Sequence, residues 1–347
     1  MSEESPIPPA RPQALILTAL CAALTVFGVD RVLTWRFPPH IQTEVEEGVA
    51  WLESHDPTVL AIGSSHGRTF EVLDRQLDER THGRERCAAI AVEFGKLTSY
   101  LWVLEHRLLP VLDQRANGRG NLRRLLLVTQ WWDTVVSSGG RRGPDGAQQQ
   151  FNLPSRAWQL RDFLADAARN GFDDYNRNWL QTRFTRICGN SVLVRDRGHG
   201  RIWRLLRGMD PDELAPGAYE RRVQDWRAMI VHSAPNLCDP HEMAALRRIV
   251  EIGRARGLEV TVLLYPLKPA TVDEAGTKQT LQPFAARMQA LCSELNVPLI
   301  DCTTGSPLTD ADFANDFDHV LAKGNDTWCR WALDGVLAFL LQGAPPR

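Results

Sequence analysis

A serine hydroxyl is a weak nucleophile until an imidazole takes its proton and a carboxylate orients that imidazole. Two stretches of this chain carry those three residue types. Val59 to Arg68 reads Val-Leu-Ala-Ile-Gly-Ser-Ser-His-Gly-Arg, a short apolar run broken by glycine and two serines. Far downstream, Asn315-Asp316-Phe317-Asp318-His319 offers an imidazole with two carboxylates beside it. Asp316 and His319 are three residues apart, so one loop can hold both; Asp318 is the rival carboxylate. Taken singly, Gly-Ser-Ser is an ordinary turn sequence and Asp-x-x-His an ordinary surface sequence. Together they describe a serine nucleophile with a base and an orienting carboxylate, provided the fold brings them to one place.

The elements around them suggest that it does. Val59 to Ile62 has the length of a buried strand, and a helix is expected from Phe70 to Glu79. A strand follows from Cys87 to Val92, running into Glu93-Phe94-Gly95, and then helical spacing of leucines from Leu97 to Leu112. Arg124 to Thr129, Leu258 to Tyr265 and Val297 to Asp301 read as three more strands. Helices are expected at Met243 to Arg256, Thr280 to Leu295 and within Leu321 to Leu341, the first with Asp239 as N-cap, Pro240 at its first position and Glu242 completing a capping-box-like arrangement. Short apolar strands alternating with longer helices predict a doubly wound α/β fold with a mostly parallel five-stranded sheet. In such sheets reactive groups sit beyond the carboxyl ends of the strands, where the Ser65 and His319 stretches both fall.

The sheet pattern covers residues 57–136 and 237–347. Residues 137–236 form an insertion that opens with Ser137 to Gln150, rich in glycine and glutamine, and continues with helical patterns at Trp158 to Asn170, Asn176 to Ile187 and Tyr219 to Ser233. Between Asn176 and Arg227 there are eleven arginines against six acidic residues. A solvated, salt-bridged surface accounts for this; a basic lid or docking face for anionic glycopolymers or lipid head groups is the functional alternative.

The 347 residues carry a net charge of −2, which argues against a general nucleic-acid binder. Seven cysteines include Cys21 in the apolar first segment. The other six are widely spaced, as core thiols or up to three bridges, and no Cys-x-x-Cys or Cys/His spacing points to a metal. No cofactor is expected.

Ala14 to Val29 is free of charge, followed by Asp30, Arg31 and, after three more apolar or neutral residues, Trp35. This run is short against the ~20 residues that span a bilayer. Arg31 snorkelling and Trp35 at the interface would lengthen it. A retained single-pass anchor over 14–35 is the favoured reading, with a tail at 1–13 and a linker and helix at 36–56. A cleaved signal and a core helix are the alternatives.

Gly63-Ser64-Ser65 after the first strand and Asp316-x-x-His319 before the last helix resemble the first and last blocks of the SGNH/GDSL hydrolase superfamily. The Gly-Ser-Ser form behind an N-terminal anchor is similar to its membrane-associated branch, the D-alanyl-lipoteichoic-acid transfer and alginate-type O-acetylation proteins. The resemblance implies Ser65 as nucleophile, His319 as base and Asp316, by the family spacing, as orienter. It implies an oxyanion hole from the Ser65 and Gly95 N–H groups. The family's third block supplies an asparagine, where this chain reads Thr129-Gln130-Trp131-Trp132-Asp133; Gln130 could donate instead. His66, Trp131 and Trp132 are candidates for lining the substrate, the tryptophans as a sugar platform or simply as core. The resemblance further implies an extracytoplasmic domain, a cell-envelope polysaccharide substrate, acetyl or related acyl transfer or hydrolysis, and a multi-span acyl-donor membrane protein as partner. The missing asparagine favours the alternative of a catalytically silent scaffold or glycan-binding subunit.

Overall fold

The computed structural model describes residues 44–135 except 93–94 and 117–119. It also describes 141–142, 148–149, 160–172, 180, 217–342 except 315–317, and scattered positions between 16 and 32. The chain divides into two compact units, Met1–Ile41 with Asp166–Glu213, and Gln42–Ala165 with Leu214–Arg347. The sheet and both chemical stretches belong to the second.

Five strands, β1 (Val59–Gly63), β2 (Cys87–Ala91), β3 (Arg124–Thr129), β4 (Glu259–Leu264) and β5 (Leu299–Asp301), form one sheet in the order β2-β1-β3-β4-β5. Every pairing is parallel. Parallel strands need crossovers, and these are helical: α1 (Glu44–Ser54) enters the sheet, α2 (Thr69–Thr81) joins β1 to β2, and α3 (Leu97–Val103) starts the link to β3. A π-helical stretch, Leu104–Leu108, separates α3 from α4 (Leu109–Ala116), so the single helix expected here is interrupted.

Two helices of the expected insertion between β3 and β4 are described, α5 (Leu160–Asn170) and α6 (Ala218–Ser233). The expected helix at Asn176 to Ile187 lies outside the described residues apart from Leu180, as does most of Ser137 to Gln150. The second half continues with α7 (Pro240–Ala255), α8 (Ala275–Glu294) and α9 (Ala322–Asp334).

Alternate residues of each strand face opposite layers, the period-2 consequence of the pleat. Leu60, Ile62, Leu125, Leu127, Val260 and Val262 join a core with α1, α3, α7 and α8, including Leu52, Leu246, Ile249 and Met288. Val59, Ala61, Leu126, Val128 and Leu263 join a second core with α2 and α9, including Phe70, Leu73, Trp328 and Leu333. Strands covered on both faces read as continuous apolar runs, which is why Leu125-Leu126-Leu127-Val128 shows no alternation in sequence.

Asp239 caps α7 as expected, its carboxylate accepting from the His241 and Glu242 N–H groups. The capping-box expectation for Glu242 fails. Its carboxylate accepts instead from the Thr98 N–H at 2.8 Å and the Thr98 hydroxyl at 3.1 Å, capping the first turn of α3 across the layer. Cys21, Cys87, Cys238, Cys292, Cys302 and Cys329 are free thiols, and Cys188 lies outside the described residues. Within Ala14 to Trp35 the described residues are helical and exposed. Among the described residues no helix is long and apolar enough to cross a membrane.

The end of β1 is set by crowding. A Cβ on Gly63 would lie 2.9 Å from both the carbonyl oxygen and the Cβ of Val128 on the neighbouring β3. Gly63→Ala should therefore push apart the two central strands where they deliver Ser65. We expect a loss of about 1–3 kcal/mol, the usual cost of overpacking, read from urea unfolding at unchanged m-value.

Candidate functional site

Beyond Gly63 the chain turns sharply. Ser64 is extended, and Ser65–Arg68 forms one turn of 3-10 helix that runs into α2. Gly67 lets this turn sit on β2, since a Cβ there would lie 2.9 Å from the Ile90 carbonyl oxygen. Ser65 is half-buried, while Ser64 and His66 are buried.

His319 comes from the loop between β5 and α9. An antiparallel bridge of Phe313 with Val320 closes the loop's stem, the Ala314 N–H donates to the His319 carbonyl at 2.7 Å, and Lys268 Nζ donates to the Ala314 carbonyl at 3.0 Å. A polar seam then ties the two loops together. Thr69 Oγ1 meets the Tyr265 hydroxyl at 2.6 Å and donates to Asn325 Oδ1 at 2.9 Å; Asn325 Nδ2 donates to the Val320 carbonyl at 3.3 Å. The starts of α2 and α9 and the end of β4 are thereby held in register.

Within this frame His319 Nε2 lies 2.7 Å from Ser65 Oγ, and His319 Nδ1 lies 3.1 Å from Asp318 Oδ1. The His319 side chain is 42% exposed against 5% for Asp318, so the serine–imidazole face is open and the carboxylate is covered. The other Asp318 oxygen, Oδ2, accepts from Gln130 Nε2 at 3.0 Å and lies 3.1 Å from His66 Nε2. Burial alone would raise the Asp318 pKa; the His66 and His319 imidazoles outweigh it and hold the carboxyl below its ordinary range. An ionised Asp318 keeps the proton on His319 Nδ1, which leaves Nε2 free to accept from the Ser65 hydroxyl. That arrangement can activate a serine toward an acyl carbon.

Among the described residues the carboxylate at His319 is Asp318. Asp316, the residue the family spacing singled out, lies outside the described residues. Other expectations are corrected by the packing. The Gly95 N–H donates to the Val92 carbonyl at 2.7 Å, closing a tight turn rather than facing an oxyanion. One N–H of the Gln130 amide, the donor expected for an oxyanion, holds Asp318. Trp131 is 1% exposed and belongs to the core. Trp132 is half-buried, with Lys96 Nζ 3.9 Å from its ring centroid, so that face is taken. His66 does not line an open cleft. Its Nδ1 lies 2.6 Å from Ser64 Oγ, and its ring packs 4.6 Å from Tyr265 and 5.3 Å from His319.

Behind the site lies a buried ionisable layer that sequence patterns did not reveal. The Tyr100 phenol faces Ser64 and Asp133, and burial with the Asp133 charge raises its pKa. Burial raises Asp133 to about 6 despite the positive charges of His66 and Lys96. Burial lowers Lys96 to about 8, and Lys96 Nζ donates to the Trp132 carbonyl. Burial raises Glu242 to about 7 in spite of the two bonds it receives from Thr98.

Among the described residues one acid–imidazole group could ligate a single ion, His66, Asp318 and His319.

No protein-family model matches the chain, and no curated protein is similar to it. Among solved structures the chain is similar to a crystal structure of a "putative acylhydrolase" from Bacteroides fragilis. The identity is 10% over 87% of this chain and 97% of that one, with a TM-score of 0.38. A likeness of that size carries no argument about activity.

The buried layer predicts a pH dependence of stability. Glu242 has a folded pKa raised above its unfolded value, so the folded state binds the proton more tightly, and its contribution falls as pH rises from ~4.5 toward ~7. Glu242→Gln should flatten that decline while an amide still bonds Thr98. Glu242→Ala should lose the α3 cap as well, about 0.5–2 kcal/mol at every pH. Chemical denaturation of both variants at pH 5 and pH 8 measures the two effects separately.

Proposed function

We propose that this chain is a serine acyl-ester hydrolase or acyltransferase of the SGNH/GDSL type, working through an acyl-Ser65 intermediate. The observation that carries the reading is the 2.7 Å contact of Ser65 Oγ with His319 Nε2, on an imidazole whose Nδ1 meets a buried carboxylate. In the first half-reaction Ser65 Oγ bonds the ester carbonyl carbon as its proton passes to His319 Nε2. The resulting imidazolium is stabilised by Asp318 and returns the proton to the leaving alkoxide as the ester C–O bond breaks. Water or an acceptor hydroxyl then repeats the sequence, releasing the acyl group and restoring Ser65. The Ser65 N–H, first in its helical turn, is an oxyanion donor without an intrahelical partner.

The apolar run Ala14 to Val29 supports a membrane anchor; the family resemblance adds an extracytoplasmic placement and an acyl ester, acetyl above all, on a cell-envelope polysaccharide. A multi-span acyl-donor membrane protein is the partner that such a transfer would require. A second reading is a catalytically silent scaffold or glycan-binding subunit of a polysaccharide modification or export complex. The engagement of Gln130 with Asp318 favours it, because this amide, which stands where the resembling family has its oxyanion asparagine, is committed elsewhere.

Full-length protein in detergent should hydrolyse a chromogenic acetyl ester and be labelled by a fluorophosphonate on Ser65. Ser65→Ala and His319→Ala should abolish both signals. Equal labelling of Ser65→Ala would sink the acyl-serine reading. Absence of labelling alongside retained glycan binding would establish the scaffold. Asp318→Asn should lower kcat by about 10³–10⁴-fold, as expected when the tautomer is lost. Asp316→Asn should cost less than about tenfold; the reverse order would return the orienting role to Asp316.

A further inference from the structure

Two consecutive serines end β1, and each has its own imidazole. Ser65 meets His319 at 2.7 Å and Ser64 meets His66 at 2.6 Å. Both imidazoles then converge on one carboxylate, His319 on Asp318 Oδ1 and His66 on Asp318 Oδ2, each at 3.1 Å. Only one arm opens outward, because His66 is 4% exposed and Ser64 is 4% exposed. The buried arm cannot reach a substrate. We propose that His66 is a positioning residue for acyl transfer, bridging Ser64 and Asp318 so that one carboxylate is pinned against the His319 ring.

This rests on the acyl-serine reading and follows from donor counting. Among the described residues Oδ2 accepts from Gln130 Nε2 at the end of β3 and lies 3.1 Å from His66 Nε2 of the β1 loop, with Oδ1 toward His319 Nδ1. A neutral His66 that donates from Nε2 has Nδ1 as acceptor for the Ser64 hydroxyl, and a protonated one would donate to both neighbours, so in either state the ring bridges Ser64 and Asp318. Donors on Oδ2 also draw charge away from Oδ1, so the carboxylate stabilises the His319 imidazolium less than an unshared one would. Among the described residues the groups facing this pair include Ser65 and Ser64 on the β1 loop, Gln130 and Asp133 beyond β3 and Tyr265 at the end of β4, with Tyr100 and Lys96 at the start of α3 behind Asp133. Of these, Asp133 carries a negative charge toward His66, and Lys96 a positive one toward Asp133.

The test compares His66→Phe, which keeps a flat ring against Tyr265 but has no donor, with His66→Gln, whose amide can still donate to Asp318. Full-length variants are compared per fluorophosphonate-titrated site, so that unfolded protein is not counted. His66→Phe should lower kcat at least tenfold and move the acid limb of the kcat/KM profile upward by about half a unit or more, as expected when a carboxylate is left to one imidazole. His66→Gln should restore most of both. An unmoved acid limb, with any loss confined to thermal stability, would overturn the proposal. Imidazole ¹⁵N NMR of the same variants reads the same coupling without turnover. There the His319 titration should rise in His66→Phe; no change would overturn the proposal, whereas a rise in a protein without esterase activity would indict the acyl-serine reading alone.

Discussion

The buried carboxylate of Asp318 is the constraint on which this site depends. An ionised carboxylate removed from water is costly unless charge and hydrogen bonds replace its hydration. Three elements supply the replacements: the loop after β1 gives His66, the end of β3 gives Gln130, and the acid's own loop gives His319. A break in any of them leaves a buried charge short of partners. The acid therefore acts as a clamp on the relative position of β1, β3 and the β5–α9 loop, and the serine–imidazole contact inherits the precision of that clamp.

The sheet makes the convergence possible. In the order β2-β1-β3-β4-β5 the chain reverses direction across the sheet between β1 and β3, so their carboxyl ends diverge into a crevice with helices on opposite faces. Ser65 leaves β1 on the side that leads to α2, and Gln130 leaves β3 on the side that leads to Trp131 and its core. Close backbone approach at Gly63 and Gly67 brings the serine turn down between β2 and β3. Thr69, Tyr265 and Asn325 then fasten the histidine loop to it from the other face. Side chains with no chemical role thus set the distance at which the chemistry becomes feasible.

How much of this could be read from the chain divides along a physical line. Strand positions and the two loops were legible, because apolar runs and punctuation are local properties: Arg124–Thr129 matches its expected bounds, and Ser65 and His319 do fall together at one sheet edge. Side-chain partners across elements were not. Nothing local sets Asp318 between two imidazoles, or tells Gln130 to turn toward a carboxylate 188 residues away. Glu242 has the position of a capping-box residue, yet it caps α3, because Thr98 offers two donors that the helix α7 does not need. Trp131 and Trp132 look alike in sequence, and only the layer packing sends the first into the core. His66 reads in sequence as a loop residue beside the nucleophile; its pairing with Ser64 and Asp318 depends on the Ser65–Arg68 turn, which propensity does not specify.

Two aspartates close to His66 show why partner geometry, rather than burial, decides which acid can orient the imidazole. Asp318 and Asp133 are both nearly inaccessible, at 3% and 0% exposure. Asp318 has imidazoles on both oxygens, and its carboxyl is held below the ordinary range. Asp133 faces His66 and Lys96 only through longer-range charge and accepts from the Gln130 N–H at 3.0 Å, and burial wins, raising it to about 6. An acid that takes up a proton near pH 6 holds a histidine tautomer over a narrower pH range than one that stays ionised well below it. Gln130 lies between them, donating its backbone N–H to Asp133 and its side-chain amide to Asp318. One residue at the end of β3 therefore connects the acid that serves the open serine to the ionisable layer behind it, through one hydrogen bond at its backbone and one at its side chain.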